Sequence, residues 1–386
     1  MNRVVLAGVP FSDNYGDYLI SLALQRAFGE CCISVDVLDI AGRYDFSMRK
    51  KVGLKTRIMR SKNSYILYLA TVLNALWVVF KNAGAWFSMI KRSDMLLIGG
   101  GNLISDVYLN FPIKIFSLAI LCRLAGKKYG IVYVGVAKDM SWFARLLFQF
   151  VIKNSQYLSV RDESSKESLL RIFIVERPVV VSFDPAITLQ KDLSPDGNES
   201  SLGNEMVVAI NVVDPSALAK HSDFDCAIGE SDYVLCIKEI ASSVEGQGYV
   251  PVLYTNGADE DNTFLLKSFS DFDVRKCAVS SVRELEDVIS SSCHVFATRL
   301  HSSILAYAYG ISFSVMNWDS KVESFVCSCV EDNSVLFPFD HSGFKSLGYE
   351  VVERRIYIAN LIQISREIHV KNWQFDFIEM IEKLKV

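Results

Sequence analysis

The chain has 386 residues, too many for one ordinary core and about right for two, at roughly 100 to 200 residues per domain. With 51% apolar and only 22% charged residues it is not a disordered protein. The formal net charge of −4 leaves no electrostatic footprint for nucleic acid, and no RNA-binding motif of aromatic and basic residues occurs, so no nucleic acid partner is expected. The nine cysteines show no paired CxxC spacing, and Cys31 with Cys32 or Cys327 with Cys329 stand too close for ordinary bridges. Reduced thiols in a reducing compartment fit this pattern, and neither structural zinc nor any other metal site is expected. The apolar run Val4 to Val9 leads straight into a turn and lacks the features of a signal peptide, which predicts a cytoplasmic protein.

In chain order, short β-rich runs alternate with helix-length segments. Val4 to Gly8, Ser34 to Ile40, Met95 to Gly100, Lys128 to Gly135, Tyr157 to Asp162 and Val179 to Asp184 read as strands. Continuous apolar strands between helices predict a parallel sheet covered on both faces. Between Thr188 and Asn204 a polar, Gly- and Pro-containing stretch without periodicity reads as a linker. Alternation restarts with Met206 to Asn211, Tyr249 to Tyr254, Val274 to Val279, His294 to Arg299 and Ser312 to Trp318. Near the end, Trp373, Phe375, Phe377, Ile378, Ile381 and Leu384 recur at mostly helical spacing, predicting an amphipathic helix that docks on the body of the protein. The expected organisation is an N-terminal α/β domain over 1–190, a C-terminal one over 205–340 and an extension over 341–386 that ends in that helix.

One segment departs from this alternation. Arg49 to Lys62 holds seven Lys or Arg and no acid, and Ser64 to Phe80 then runs seventeen residues without a charge. Length and charge admit a buried core helix, a transmembrane span, or a helix lying on an anionic membrane with its basic flank adding attraction.

In an open parallel sheet ligands bind at the carboxyl ends of strands, where helix N-termini present free amides. The first strand ends at Asn14, Tyr15, Gly16 and Asp17, with Asn14 and Gly16 suited to a tight turn and Asp17 to an N-cap. Gly99, Gly100 and Gly101, followed by Asn102 and then Asp106, end the third strand; successive glycines let backbone approach a bound group, and their amides can cradle an anion. Arg161 ends the fifth strand, where it either pairs with Asp162 or Glu163 or grips a carboxylate or phosphate through its planar fork. The sharpest signal is Thr298, Arg299, Leu300 and His301 between a strand and a helix. A fixed cation and an imidazole at a positive helix end repel one another, an arrangement that makes sense where an anion sits. Lys321, after the next strand, is placed to bring a further positive charge, and Asp184-Pro185 closes the sixth strand.

Taken in series, Asn14-Tyr15-Gly16-Asp17, Gly99-Gly100-Gly101-Asn102 with Asp106, Ser159-Val160-Arg161-Asp162-Glu163 with Ser165, Asp184-Pro185 and Thr298-Arg299-Leu300-His301 resemble the polysaccharide pyruvyl transferase family in order and spacing. The resemblance runs from about residue 5 to about residue 325. It implies a GT-B-like fold, two Rossmann-like domains facing each other across a cleft, and transfer of pyruvate from phosphoenolpyruvate to a sugar as a ketal with release of phosphate. The acceptor it implies is a saccharide, lipid-linked in many envelope pathways, and phosphoenolpyruvate serves as co-substrate with no cofactor beside it. A donor bearing a phosphate and a carboxylate needs at least two well-placed cations. Arg299 and His301 are then expected at the donor, with Arg161 as companion. Asn14, Gly16, Gly99, Gly100, Gly101, Asn102, Leu300 and Lys321 complete the expected binding residues. His301 is the expected acid and base, and either Asp17 or Asp106 the acceptor of the sugar hydroxyl proton. The basic and apolar segment at about 49–80 would then hold the enzyme at the inner face of the membrane. Two other readings stand beside this one: a GT-B nucleotide-sugar glycosyltransferase, and a non-catalytic anion-binding protein of envelope assembly.

Overall fold

The computed structural model describes residues 1–48, 64–190, 206–216, 228–330 and 332–385. The basic run Arg49 to Lys62 and most of the expected linker lie outside the described residues. The chain divides into two compact units: Met1–Ser12, Asp17–Pro185 and Trp373–Val386 form one, Asp13–Gly16 and Ala186–Asn372 the other.

In the first unit β1 (Arg3–Gly8), α1 (Tyr15–Glu30), β2 (Ser34–Asp39), α2 (Ser64–Arg92), β3 (Met95–Gly99), α3 (Asn110–Leu124), β4 (Lys128–Val134), α4 (Trp142–Asn154), β5 (Leu158–Val160), α5 (Glu163–Ile172) and β6 (Val180–Val181) alternate. The six strands are parallel in the order β2-β1-β3-β4-β5-β6. β3 is buried along its whole length, as its unbroken apolar run Met-Leu-Leu-Ile requires of a strand covered on both faces. α2 packs along α3 and α3 along α4, and their inward side chains join the sheet in one core.

In the second unit β7 (Val207–Asn211), α6 (Glu230–Gly246), β8 (Val250–Tyr254), α7 (Asp259–Ser268), β9 (Arg275–Cys277), α8 (Val282–Ser290), β10 (Ser292–Ala297), α9 (Leu300–Ala308), β11 (Ser312–Asn317), α10 (Ser320–Cys329) and β12 (Leu336–Pro338) lead into the long α11 (His341–Lys385). Its parallel sheet runs β12-β11-β10-β7-β8-β9. Renumbered from β7, that is the 3-2-1-4-5-6 order of the Rossmann fold.

Three features differ from the sequence reading. The expected extension over 341–386 is not a separate body, because one helix covers it and its residues divide between the units at Trp373. The strand β12 was not anticipated, being only three residues long with its central Phe337 buried and Pro338 exposed, too short for a readable period. Asp17 is not the N-cap of the first helix; that helix begins at Tyr15, and the Asn14 side chain accepts from the Gly16 amide instead.

The end of α11 does dock, and its partner is the first unit. Trp373 is buried, stacked on Phe377 with centroids 5.0 Å apart and tilted against Tyr133 of β4 at 5.6 Å. Phe377 meets Phe28 of α1 edge-on at 4.8 Å, while Phe375 and Ile378 point to solvent. Ser182 donates to Asp376 across 2.8 Å. Replacing Trp373 by alanine would leave a large void under these rings, so Trp373→Ala should destabilise the first unit by about 3 to 5 kcal/mol. Urea unfolding of the full chain, followed by circular dichroism, would register this as an earlier first transition.

Candidate active site

Each sheet has one point where connections leave two neighbouring strands in opposite directions, so that no connection covers the strand ends there. In the first unit it lies between β1 and β3, in the second between β7 and β10. Asp17 with Gly99, Gly100 and Gly101 stands at the first of these points and Arg299 with His301 at the second, whereas Arg161 follows β5 and Lys321 follows β11.

At the first, Gly99, Gly100 and Gly101 are required for different reasons. A Cβ on Gly99 would lie 2.4 Å from the Val132 carbonyl oxygen of β4, which leaves no space for a side chain. Gly100 and Gly101 have φ of +79° and +72°, the left-handed region that favours glycine. The loop is pinned by hydrogen bonds from the Gly100 amide to Val132 and from the Gly135 amide to Gly101. A small pocket beside it is lined by Gly8, Pro10, Asp17, Ile20, Gly99 and Gly100, among others.

Asp17 reaches this pocket from the first turn of α1. Ser12 donates to its carboxylate at 2.6 Å. Burial pushes the Asp17 carboxyl up to about 6, and the Ser12 hydrogen bond with the Arg43 and Arg161 charges offsets that only in part. Arg161 is buried between two carboxylates, its Nε 3.3 Å from Asp162 and its Nη1 3.8 Å from Asp184. The ion pair considered from sequence is therefore present, with Asp184 as a second partner that sequence distance concealed. Asp162 also caps α5 by accepting from the Ser165 amide at 2.6 Å. Above Gly135 the chain is crowded: a Cβ there would sit 2.8 Å from Asn102 Oδ1 and 3.1 Å from the Arg161 guanidinium. Asn102 Oδ1 is buried and accepts no hydrogen bond among the described residues. Asp106 is not in this group. Its two oxygens accept from the Leu109 amide at 2.8 Å and the Ser141 amide at 2.9 Å, which ties the loop before α3 to the start of α4.

In the second unit the organising side chain is Asn211, buried at the end of β7. Its Oδ1 accepts from the backbone amides of Thr298 at 3.3 Å and Arg299 at 2.8 Å, and its Nδ2 donates to Asn256 Oδ1 at 2.9 Å. The Thr298 hydroxyl returns a bond to the Asn211 carbonyl at 3.0 Å. Arg299 thereby becomes the N-cap residue of α9, and Leu300, half-buried, the first residue of the helix. β10 ends at Ala297 and α9 begins at Leu300, so Arg299 and His301 straddle a helix start.

Arg299 is anchored along one edge only. Its Nη2 and Nε lie 2.7 and 3.2 Å from the same Asp261 oxygen, and its Nη1 has no partner among the described residues. Asp261 is fully buried and accepts from the Asp214 amide at 2.9 Å; burial raises its carboxyl and the Arg299 charge opposes that rise. The His301 ring rests directly on the backbone of Gly16, where a Cβ would come within 2.1 Å of it. Tyr15 is seated in the same way against Gly257, whose φ is +92°, and its amide donates to the Asn256 carbonyl at 3.2 Å. The family of contacts thus joins Asn14 to Gly16 with Asn256, Gly257 and His301 inside one unit. Lys321 lies 3.0 Å from Asp319, the N-cap of α10, which accounts for one of its charge partners.

Residues 14–320 match the model of the polysaccharide pyruvyl transferase family. The chain belongs to that family. As a polysaccharide pyruvyl transferase family member it shares its fold with several solved structures. The UDP-GlcNAc 2-epimerase of Neisseria meningitidis bound to UDP-GlcNAc is 14% identical with a TM-score of 0.54, over 99% of this chain and 100% of that one. The Methanocaldococcus jannaschii UDP-GlcNAc 2-epimerase is 12% identical with a TM-score of 0.52, over 92% and 93%. An alpha-glucosyltransferase in complex with UDP and a 13-mer DNA is 10% identical with a TM-score of 0.51, over 100% and 99%. At such identities the likeness shows the fold alone, two Rossmann-like domains of the GT-B type. No curated relative matches the sequence.

Sequence reasoning did not single out Asn211, Asn256, Asp261 or Ser12. Asn256-Gly257 after β8 and Asn211 at the end of β7 carry the same strand-end signal as the residues that were chosen, so the signal was there to be used. Asp261 gave none, since it opens a helix among three acids that read as a solvated start.

The raised Asp17 carboxyl has a measurable consequence for this transferase. Between about pH 4 and 6 the folded chain keeps a proton that the unfolded chain has lost, so stability falls as pH rises through that window. Asp17→Asn should therefore raise stability above pH 6 by up to about 3 kcal/mol and lose that advantage near pH 4. Denaturation midpoints of both proteins across this pH range provide the check.

Proposed function

We propose that the protein transfers the pyruvate of phosphoenolpyruvate onto two hydroxyls of a saccharide as a ketal, with a polysaccharide repeat or lipid-linked oligosaccharide of the cell envelope as acceptor. It works in the cytoplasm, at the inner face of the membrane. The observation that carries this reading is the half-anchored Arg299 at the start of α9, in a chain whose family model names pyruvyl transfer. Asp261 holds one edge of the guanidinium rigid while Nη1 is left for an anion. The first amides of α9 add the favourable end of a helix to the same place.

In the proposed reaction His301 gives a proton to the methylene carbon of the enol, and the first sugar hydroxyl adds to the adjacent cationic carbon. Asp17 takes the proton of a hydroxyl, for which a carboxyl near pH 6 is well matched at neutral pH. The second hydroxyl then replaces phosphate at the same carbon, closing the ketal; the bond between that carbon and the bridging phosphate oxygen breaks, the phosphate leaves with the electron pair, and the proton of this second hydroxyl returns to His301. Arg299, with Arg161 and the amides of the glycine loop as the anion-holding groups of the first unit, stabilises the charge on donor and leaving group. Asp106 is the weaker choice of base because both of its oxygens are engaged by amides.

The test is acceptor-dependent phosphate release from phosphoenolpyruvate in the presence of an envelope oligosaccharide. His301→Ala should lower turnover by about 10² or more, as loss of a proton-transfer group does. In kcat/KM, an ascending limb with an apparent pKa near 6 should be present in the wild type and absent in Asp17→Asn. Thermal stabilisation by a nucleoside diphosphate with none by phosphoenolpyruvate would overturn the donor assignment in favour of nucleotide-sugar transfer. Stabilisation by phosphoenolpyruvate without release across a broad acceptor panel would instead mark a binding protein.

A further inference from the structure

α2 is the one helix among the described residues long and apolar enough to cross a membrane by length and composition. Its two sides differ sharply. Thr71, Ala75, Val78, Asn82, Trp86 and Ile90 are buried, and the apolar ones among them belong to the core of the first unit. On the opposite side Ile66, Leu69, Leu73, Leu76, Trp77 and Phe80 are 50 to 86% exposed. At 3.6 residues per turn these six fall within an arc of about 100° and extend over roughly 20 Å. A helix with one side committed to a core does not span a bilayer, so the transmembrane alternative loses its footing. It can lie on one.

Further exposed apolar side chains occur in neighbouring elements. Tyr108, exposed in the loop before α3, meets Tyr68 edge-on at 6.4 Å. At the start of α4, Trp142, Phe143 and Leu146 are also exposed. α2, α3 and α4 pack successively, so these side chains belong to one layer of helices. Tryptophan and tyrosine at such positions are the residues favoured at the boundary between lipid headgroups and acyl chains.

Charge selects the occupant. No Asp or Glu occurs between residues 46 and 93, and ten Lys or Arg do, in a chain whose overall charge is −4. Within the described helix the charged residues are Lys81, which lies over the Trp77 ring at 5.2 Å, Lys91 and Arg92. A second copy of this chain docking symmetrically on the stripe would set the same cations against themselves. A surface bearing anionic headgroups would be attracted by them.

We propose that the exposed stripe of α2, from Ile66 to Phe80, docks the protein onto the surface of a bilayer containing anionic lipid, with the helix lying in the interface plane. The inference stands on this surface alone and does not depend on which donor the enzyme uses. Its readout is partition of the protein rather than turnover.

The full chain is sedimented with vesicles of phosphatidylglycerol in phosphatidylcholine, and with vesicles of phosphatidylcholine alone, at low and high salt. The wild type should pellet with the anionic vesicles at least about tenfold more than with the neutral ones, and high salt should weaken that preference. The combined variant Leu73→Glu, Trp77→Glu and Phe80→Glu should lose it, whereas Leu170→Glu, at an exposed leucine of α5, should keep it. Trp77→Gln, a gentler change at an exposed position, should show a partial loss and guards against misfolding of the combined variant. Wild type that stays in the supernatant, or that binds both vesicle types equally, overturns the proposal. A wild-type dimer in analytical ultracentrifugation that the combined variant dissociates also overturns it, by assigning the stripe to a second copy.

Discussion

Parallel strands bound by helices leave one place uncovered, the point where neighbouring connections depart in opposite directions, and in this protein the glycine loop with Asp17 stands at one such point and Asn211 with Arg299 at another. Gly8 and Gly99 end the strands that flank the first, Asn211 and Ala297 those that flank the second. Strand ends at a switch point present backbone amides that no strand or helix partner can satisfy. Side chains that reach them must either close the gap or await a ligand. Asn211 closes one by accepting from Thr298 and Arg299, and in doing so decides where α9 begins.

Charge is costly at both points, and the two units handle it differently. The second unit buries Asp261 completely and stabilises it with an arginine held along one edge and a hydrogen bond from the Asp214 amide. The first unit leaves Asp17 in a pocket with a hydroxyl and two more distant guanidinium groups, and the carboxyl responds by holding its proton to about pH 6. A group poised there changes charge within the working range of most enzymes, which a fully paired carboxylate would not. Glycines make this crowding sterically feasible. Gly16 gives the His301 ring its seat and Gly135 leaves room for Asn102 and Arg161.

Much of this was legible from the residues. The apolar runs identified eleven of the twelve strands among the described residues, and missed β12 because three residues carry no period. Gly99 to Gly101, Arg161 and the Thr298 to His301 stretch were found because strand ends are where such folds place ligands, and the structure sets them there. Less legible were the partners. Arg161 with Asp184 and Arg299 with Asp261 are ion pairs between residues 23 and 38 positions apart. Nothing local in the chain announces them, and Asp17 looked like a helix cap until Asn14 was seen to occupy that role.

What the sequence determined by itself is the periodicity of its elements and the glycine, arginine and histidine punctuation at their ends, because both depend only on neighbours along the chain. It also settled that the stretch around α2 carries a one-signed charge, which is a matter of composition. Which side of α2 is buried, which carboxylate holds each arginine, and the docking of Trp373 onto Tyr133 and Phe377 were decided by tertiary structure alone. Burial and desolvation act on whatever the fold brings within a few ångströms, and for these groups the fold brings together residues that the chain keeps far apart.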